Sequence, residues 1–159
     1  MDIREQANQL LALATAPLKL ERLELDERDE CIVTFDGRIV TVFTLDSHDL
    51  NGLVINLVLG ALPPGEVQGE VMRELLTGNY CWGRTEGGVI GIEDATGLIC
   101  LTYLVELPMA HPEQFPDVCA KLLNVADYWQ RRLEAIGGIS PDLMSAGSTS
   151  GGVEAFLRV

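Results

Sequence analysis

Basic charge, long apolar runs, paired cysteines and catalytic motifs are all scarce in this chain, and each shortage excludes something. Its 11 lysines and arginines stand against 24 aspartates and glutamates, a net charge of −13. Nucleic acid and anionic membrane both require a basic surface, so neither is an expected partner. The longest apolar run, Leu57 to Leu62, falls far short of a bilayer span, and Met1-Asp2 opens an acidic helix rather than a signal peptide. A soluble, intracellular protein with no membrane insertion is the expectation. Cys31, Cys81, Cys100 and Cys119 make no Cys-x-x-Cys pair and no Cys/His cluster, which leaves zinc without support. Each lies in or beside an apolar run and reads as a reduced core thiol.

Catalytic chemistry is equally thin. His48 and His111 sit in turns with no nucleophile motif beside them, so both read as surface or capping histidines. Gly147-Ser148-Thr149-Ser150-Gly151 has threonine at its centre and no strand before it, unlike a nucleophile elbow. Gly87-Gly88-Val89-Ile90-Gly91 lacks the lysine and the following helix of a phosphate loop. Glu93-Asp94 and the run Asp26 to Glu30 read as solvated turn and loop charges rather than metal ligands. No enzyme, cofactor or metal site is expected.

What the chain has is enough apolar material to fold. Hydrophobic residues make up 47% of 159 positions, which fits one domain with a substantial core. Asp2 to Thr15 is patterned as an amphipathic helix, with Asp2 and Glu5 spaced as a capping box and Ile3, Ala7, Leu10, Leu11 and Ala14 as its stripe. Pro17 ends it. Leu18 to Glu30 alternates leucine with charge and reads as a crossing loop or a short edge strand. Cys31–Phe35 and Arg38–Leu45 are strands joined by Asp36-Gly37, a strong hairpin signal. Leu53 to Gly60 makes a third strand after the turn from Asp46 to Gly52.

Glu66 to Thr77 then reads as a helix stopped by Gly78. Val89–Glu93 and Leu98–Val105 follow as two strands joined by Asp94-Ala95-Thr96-Gly97. From His111 to Ile136 runs the longest helix, its stripe formed by Phe115, Val118, Cys119, Leu122, Ala126, Trp129, Leu133 and Ile136. Lys121, Gln130, Arg131, Arg132 and Glu134 form its expected wet side. The fold class is α+β, in the order α-βββ-α-ββ-α, with helices packed on an antiparallel sheet.

The stretch from Pro63 to Val105 is apolar on two sides. On its helix, Val67, Val71 and Leu75 share one face and Gly69, Met72 and Leu76 another. Both faces of the strand Leu98–Val105 are largely apolar as well. A surface completed by another polypeptide is the expectation. Residues 1–136 make the domain, and 137–159 form a Gly/Ser-rich tail read as mobile, with a docking segment at its apolar end as the alternative.

Taken in order, these pieces resemble the class I chaperones of bacterial type III secretion, the Tir-chaperone (CesT-like) family. The resemblance runs through Leu23-Glu24-Leu25-Asp26-Glu27, Cys31-Ile32-Val33-Thr34-Phe35-Asp36-Gly37 and Leu59-Gly60-Ala61-Leu62-Pro63-Pro64-Gly65. It continues through Leu75-Leu76-Thr77-Gly78-Asn79-Tyr80, Gly87 to Ile92, Asp94-Ala95-Thr96-Gly97, Leu107-Pro108 and Ala126-Asp127-Tyr128-Trp129. It covers about residues 2–136.

The resemblance implies an acidic homodimer without ATPase activity that binds the N-terminal chaperone-binding segment of a secreted effector. That segment would be held extended, soluble and competent for secretion, with the export ATPase of the secretion system as a further partner. Grooves between the first helix and the sheet would make Ile3, Leu10, Leu11, Ala14, Leu18, Leu20, Leu23 and Leu25 effector-binding, with plain core packing as their ordinary reading. The dimer contact maps to Val67, Gly69, Met72, Leu76, Trp82 and Val89. Gly69 costs its helix about 1 kcal/mol relative to alanine, which suits close approach by a second backbone; tight seating on its own sheet is the alternative. A protein-binding or regulatory module with the same fold, outside secretion, remains the other functional reading.

Overall fold

A computed structural model describes residues 2–137. Of the expected tail 137–159, Gly137 belongs to the last helix, and the residues from 138 onward lie outside the described residues. Helix α1 (Ile3–Thr15) is followed by strands β1 (Glu30–Phe35), β2 (Ile39–Asp46) and β3 (Gly52–Ala61). Helix α2 (Val67–Asn79), strands β4 (Val89–Ile92) and β5 (Leu98–Glu106) and helix α3 (Phe115–Gly137) complete the order. Single 3-10 turns, Tyr80–Trp82 and Pro112–Gln114, follow α2 and lead into α3. The expected α-βββ-α-ββ-α order is therefore the observed one.

All five strands form one antiparallel sheet in the order β1-β2-β3-β5-β4. The β1–β2 turn takes positive φ at Asp36 (49°) and Gly37 (69°), a conformation that this residue pair tolerates better than most. Alternation then sends Phe43, Leu53, Ile55, Leu57, Ile99 and Leu101 into one core with the buried stripes of α1 and α3. On the opposite face of the sheet, Val58, Leu98 and Cys100 form a second, smaller buried cluster. The double-sided apolar pattern of β5 is thus satisfied in part within the chain, since Leu98 and Cys100 are both buried.

Several local expectations change. Of the two readings of the segment after α1, crossing loop or short edge strand, the loop is the observed one, with turns from Leu18 to Asp29. Asp2 makes no side-chain capping bond; its backbone carbonyl accepts from the Gln6 N–H at 3.0 Å instead. Gly78 does not stop α2 but lies inside its last turn, and the helix continues to Asn79. Cys31, Cys100 and Cys119 are buried free thiols, as expected. Burial pushes Cys100 and Cys119 up to about 12. Cys81 is different: it is exposed, at φ 52° in the turn after α2. Its apolar neighbours in sequence, Tyr80 and Trp82, also face outward, so no core forms around it.

Gln130 departs furthest from expectation. Placed by periodicity on the wet side of α3, it is 2% exposed. Its Nε2 donates to the carbonyls of Val58 (3.1 Å) and Arg38 (3.3 Å). The first lies beside the register shift between Val58 and Gly60, where β3 bulges against β5. A bulge interrupts the ladder, and a buried amide donor here supplies a partner to the carbonyl next to it.

Gly78 is fixed by contact rather than by backbone conformation. A Cβ there would stand 2.2 Å from the ring of Trp129, itself fully buried on α3. In an open helix Gly→Ala gains about 1 kcal/mol. Here overpacking reverses the sign, and Gly78→Ala should cost about 1–3 kcal/mol in urea denaturation. Unchanged or higher stability would mean that the ring gives way freely and does not set the position of α2.

Candidate interaction surfaces

In an antiparallel pair, alternate residues turn their N–H and C=O toward the partner strand, and the rest turn them outward. On β4 the outward groups belong to Ile90 and Ile92. Asn79, at the end of α2, fills the first of these: its Oδ1 accepts from the Ile90 N–H and its Nδ2 donates to the Ile90 carbonyl, both at 2.8 Å. A side-chain amide thereby replaces one residue of a sixth strand.

On β1 the outward residues are Glu30, Ile32 and Thr34. Asp26 closes the first. Its N–H donates to the Glu30 carbonyl at 2.7 Å, and its carboxylate accepts from the N–H groups of Glu30 and Arg28. Those backbone donors, Glu30 first, hold the Asp26 carboxyl below its ordinary range. Ile32 and Thr34 meet no such cap among the described residues. Their backbone groups are a free edge, with the half-exposed Ile32 side chain upon it. Beside it lies a groove lined by Arg4, Arg22, Glu24, Glu27, Glu30 and Ile32.

A second surface lies on α2. Val71 and Leu75 face inward, while Met72 and Leu76 face out, Leu76 at 72% exposure. Gly69, Met72, Leu76 and Tyr80 line one shallow apolar surface together. Nothing lies within 4 Å of a Cβ built on Gly69, so this glycine does not serve close seating on the chain's own sheet. Val67, Trp82 and Val89 are exposed too, Val89 on strand β4. Charge also links the helix to its neighbours: Glu74 accepts from Arg84 (2.7 Å) and Arg132 (3.0 Å). The hydrogen bond from Arg132 leads in holding the Glu74 carboxyl below its usual range.

The expected effector-binding leucines fall mostly in the core. Leu10, Leu11, Ala14, Leu23 and Leu25 are buried, Leu11 and Ala14 completely. Ile3, Leu18 and Leu20 are half-buried against the same cluster. Their ordinary reading as core therefore describes them in the folded chain. The apolar groove near α1 is instead lined by Gln9, Leu13, Leu107, Met109 and Pro112, with only the margin of Leu10. Leu13 lies three residues beyond Leu10, on the flank of the stripe, and that spacing was a usable signal. Tyr80 lies three residues beyond the expected end of the helix at Thr77, and one beyond its observed end at Asn79. Neither Asn79 nor the free edge at Ile32 and Thr34 carries a sequence signal, because each depends on strand order.

The sequence profile of the Tir chaperone protein (CesT) family matches residues 9–130. A curated relative, the transcriptional anti-antiactivator ExsC of Pseudomonas aeruginosa, is 31% identical over 136 residues, 84% of this chain and 89% of that protein. Among solved structures, the ExsC–ExsE complex aligns with a TM-score of 0.68 at 26% identity, covering 82% of this chain and 96% of the matched one. The HopA1–SchA chaperone–effector complex aligns with a TM-score of 0.65 at 17% identity, covering 82% and 98%, a likeness of fold.

Removing the Asn79 amide leaves the outward groups of Ile90 without partners and loosens α2 at the same point. Asn79→Ala should lower stability by about 1–3 kcal/mol and speed amide exchange at Ile90. Unchanged exchange there would show that water replaces the amide at no cost.

Proposed function

From the premise that the chain belongs to the Tir chaperone protein (CesT) family, we propose that it is a cytoplasmic type III secretion chaperone. It acts as a homodimer and binds the N-terminal segment of a secreted effector in extended form. The observation that carries this reading is the contrast between the sheet edges: among the described residues, β4 is filled at its centre by Asn79, whereas β1 has no partner at Ile32 and Thr34. An extended segment gains main-chain hydrogen bonds at such an edge and sets alternate side chains into the neighbouring grooves. A disordered client wraps a large surface in this way without needing a deep pocket. Nothing in the arrangement calls for ATP or for a covalent step. Handing the client to an export ATPase belongs to the same proposal.

The second copy would meet the α2 surface of Gly69, Met72, Leu76 and Tyr80, with Val67, Trp82 and Val89 around it. An exposed apolar surface of this kind is costly unless covered. Ile3, Leu18 and Leu20 keep a part in client binding at the margin of the core. Leu10, Leu11, Ala14, Leu23 and Leu25 support the groove from beneath, while Leu13 and Met109 offer the area a client would cover.

A second reading has an observation of its own. The curated relative is named for opposing an antiactivator of transcription, and one matched structure pairs it with ExsE. On that reading this chain exchanges a secreted partner for a regulatory one, so that secretion and transcription are linked through occupancy of one surface.

Two tests separate the surfaces. Met72→Glu puts a charge into the α2 contact and should give monomers in sedimentation, while Gly69→Ala should raise monomer stability by about 1 kcal/mol yet weaken the dimer. An unchanged dimer mass in both removes this contact. Thr34→Pro deletes an outward N–H from an edge strand, where proline is tolerated. It should abolish co-purification with the N-terminal segment of a secreted protein from the same genome while leaving the fold intact. Undiminished capture would place the client elsewhere.

A further inference from the structure

Two grooves of opposite charge flank the open edge of β1. At the start of the strand, the groove that reaches Ile32 is lined by four carboxylates, Glu24, Asp26, Glu27 and Glu30, and by two cations, Arg4 and Arg22. Arg22 is paired with Glu24, and Arg4 with Asp29. Neither Glu27 nor Glu30 makes an ion pair among the described residues. At the far end, a second groove lies between Phe35, α3 and the segment after α1. Here Lys19, Arg38 and Arg131 outnumber Asp36 and Asp127. Asp127 is paired with both arginines (Arg131 at 2.9 Å), and Lys19 is exposed with no ionic partner among the described residues. In a chain of net charge −13, one end of the edge is thus acidic and the other basic.

We propose that this polarity selects the client: the segment taken up at β1 lies antiparallel to it and carries an acidic side chain about six residues before a basic one. This rests on the reading of β1 as the client's edge. Antiparallel addition continues the sense of every pairing in the sheet. It also gives each of Ile32 and Thr34 one client residue that both donates and accepts. The start of the client then lies beside Phe35 and the cations, and its end beside Glu30. β1 runs about 17 Å from Glu30 to Phe35, and side chains six residues apart on an extended client lie about 20 Å apart on one face.

Two open residues offer few hydrogen bonds and one apolar side chain, Ile32, so they fix neither direction nor register. The charged ends fix both. A reversed segment sets its carboxylate beside Glu27 and Glu30 and its ammonium beside Lys19 and Arg38. Exposed ion pairs are individually weak. Reversal, however, replaces attraction by repulsion at both ends together, and discrimination grows from the repulsive arrangement as much as from the attractive one.

Two blocked peptides of one composition test this, Glu-Thr-Val-Thr-Val-Thr-Lys and Lys-Thr-Val-Thr-Val-Thr-Glu. Each is titrated into the full chain while the Ile32 and Thr34 amides are followed by NMR. The acid-first peptide should bind about five-fold more tightly in low salt, and the difference should vanish near about 1 M, where the screening length is about 3 Å. The double variant Lys19→Glu/Glu27→Lys alters two exposed positions, keeps the net charge at −13, and should abolish the preference. Equal affinities, a preference for the reverse order, or a preference that survives the double variant would each overturn the proposal. Thr34→Pro separates this from the reading beneath it. Equal binding of both peptides that Thr34→Pro abolishes leaves the edge in place and removes only the polarity. Binding that Thr34→Pro leaves undiminished, or no binding by either peptide at millimolar concentration, removes the edge as well. Ile32 and Thr34 amides that shift on dilution of the peptide-free protein would assign the edge to a second copy, which also overturns the proposal.

Discussion

Trp129 sits fully buried on α3, and the seating of the end of α2 and of the loop after it follows from how it is held. Its ring fills the space that a side chain at Gly78 would need, and its indole N–H donates to the Arg84 carbonyl at 2.9 Å. One side chain therefore grips the end of α2 and the loop beyond it. An indole buries a large apolar area and still requires one hydrogen-bond acceptor, and the loop carbonyl provides it. With Gly78 so placed, the next residue, Asn79, reaches β4 and closes its edge. The exposed face of α2 is then a consequence: Val71 and Leu75 must turn inward, so Met72 and Leu76 must turn out.

Charge reinforces this seating without being its source. Glu74 lies between Arg84 and Arg132, linking α2, the following loop and α3. Its lowered pKa means the folded state favours the carboxylate more than the unfolded chain does. The stabilisation is therefore present above the ordinary carboxylate range and is lost as pH falls through the lowered value. The arginines remain partly exposed, so solvent and salt screen the contribution. Glu93 plays a related local part. Its carboxylate accepts from the Thr96 hydroxyl at 2.5 Å and from the N–H groups of Ala95 and Thr96, which shapes the β4–β5 turn.

Much of this was legible in the chain because it depends on local pattern. Period-two runs around Asp36-Gly37 gave the hairpin, and the 3.6-residue stripes gave α1 and α3, including Trp129 and Leu133 as core. The outward face of α2 was legible from Gly69, Met72 and Leu76 for the same reason. What escaped depends on residues far apart in sequence. Gln130 has the spacing of a wet-side residue, and only the β3 bulge some 72 residues earlier gives its amide a buried partner. Gly78 has the look of a helix stop, and only Trp129 explains why it is glycine. Cys81 has apolar neighbours, yet they turn outward with it. The leucines of α1 were legible as a stripe, but a stripe alone cannot separate a core from the wall of a groove. In the folded chain Leu10 and Leu11 are core, and Leu13 on the flank is the exposed one.

The two edges of the sheet give the clearest link from fold to use. A free edge invites unwanted pairing, and proteins commonly blunt both ends of a sheet. Here the chain commits side chains to that task at unequal strength. Asn79 fills the middle of the four-residue β4 and leaves only Ile92 beyond it. Asp26 caps only the first outward residue of β1, and among the described residues the next two meet no partner. The same capping device thus nearly closes one edge and leaves a short template at the other. A surface meant merely to avoid aggregation would close both. One meant to take up an extended segment needs one edge open, short and flanked by charge, so that pairing is selective and reversible. On the proposed reading, the mixed charges around β1, Glu24, Glu27 and Glu30 with Arg4 and Arg22, serve that selectivity, since a segment of mismatched charge is repelled there.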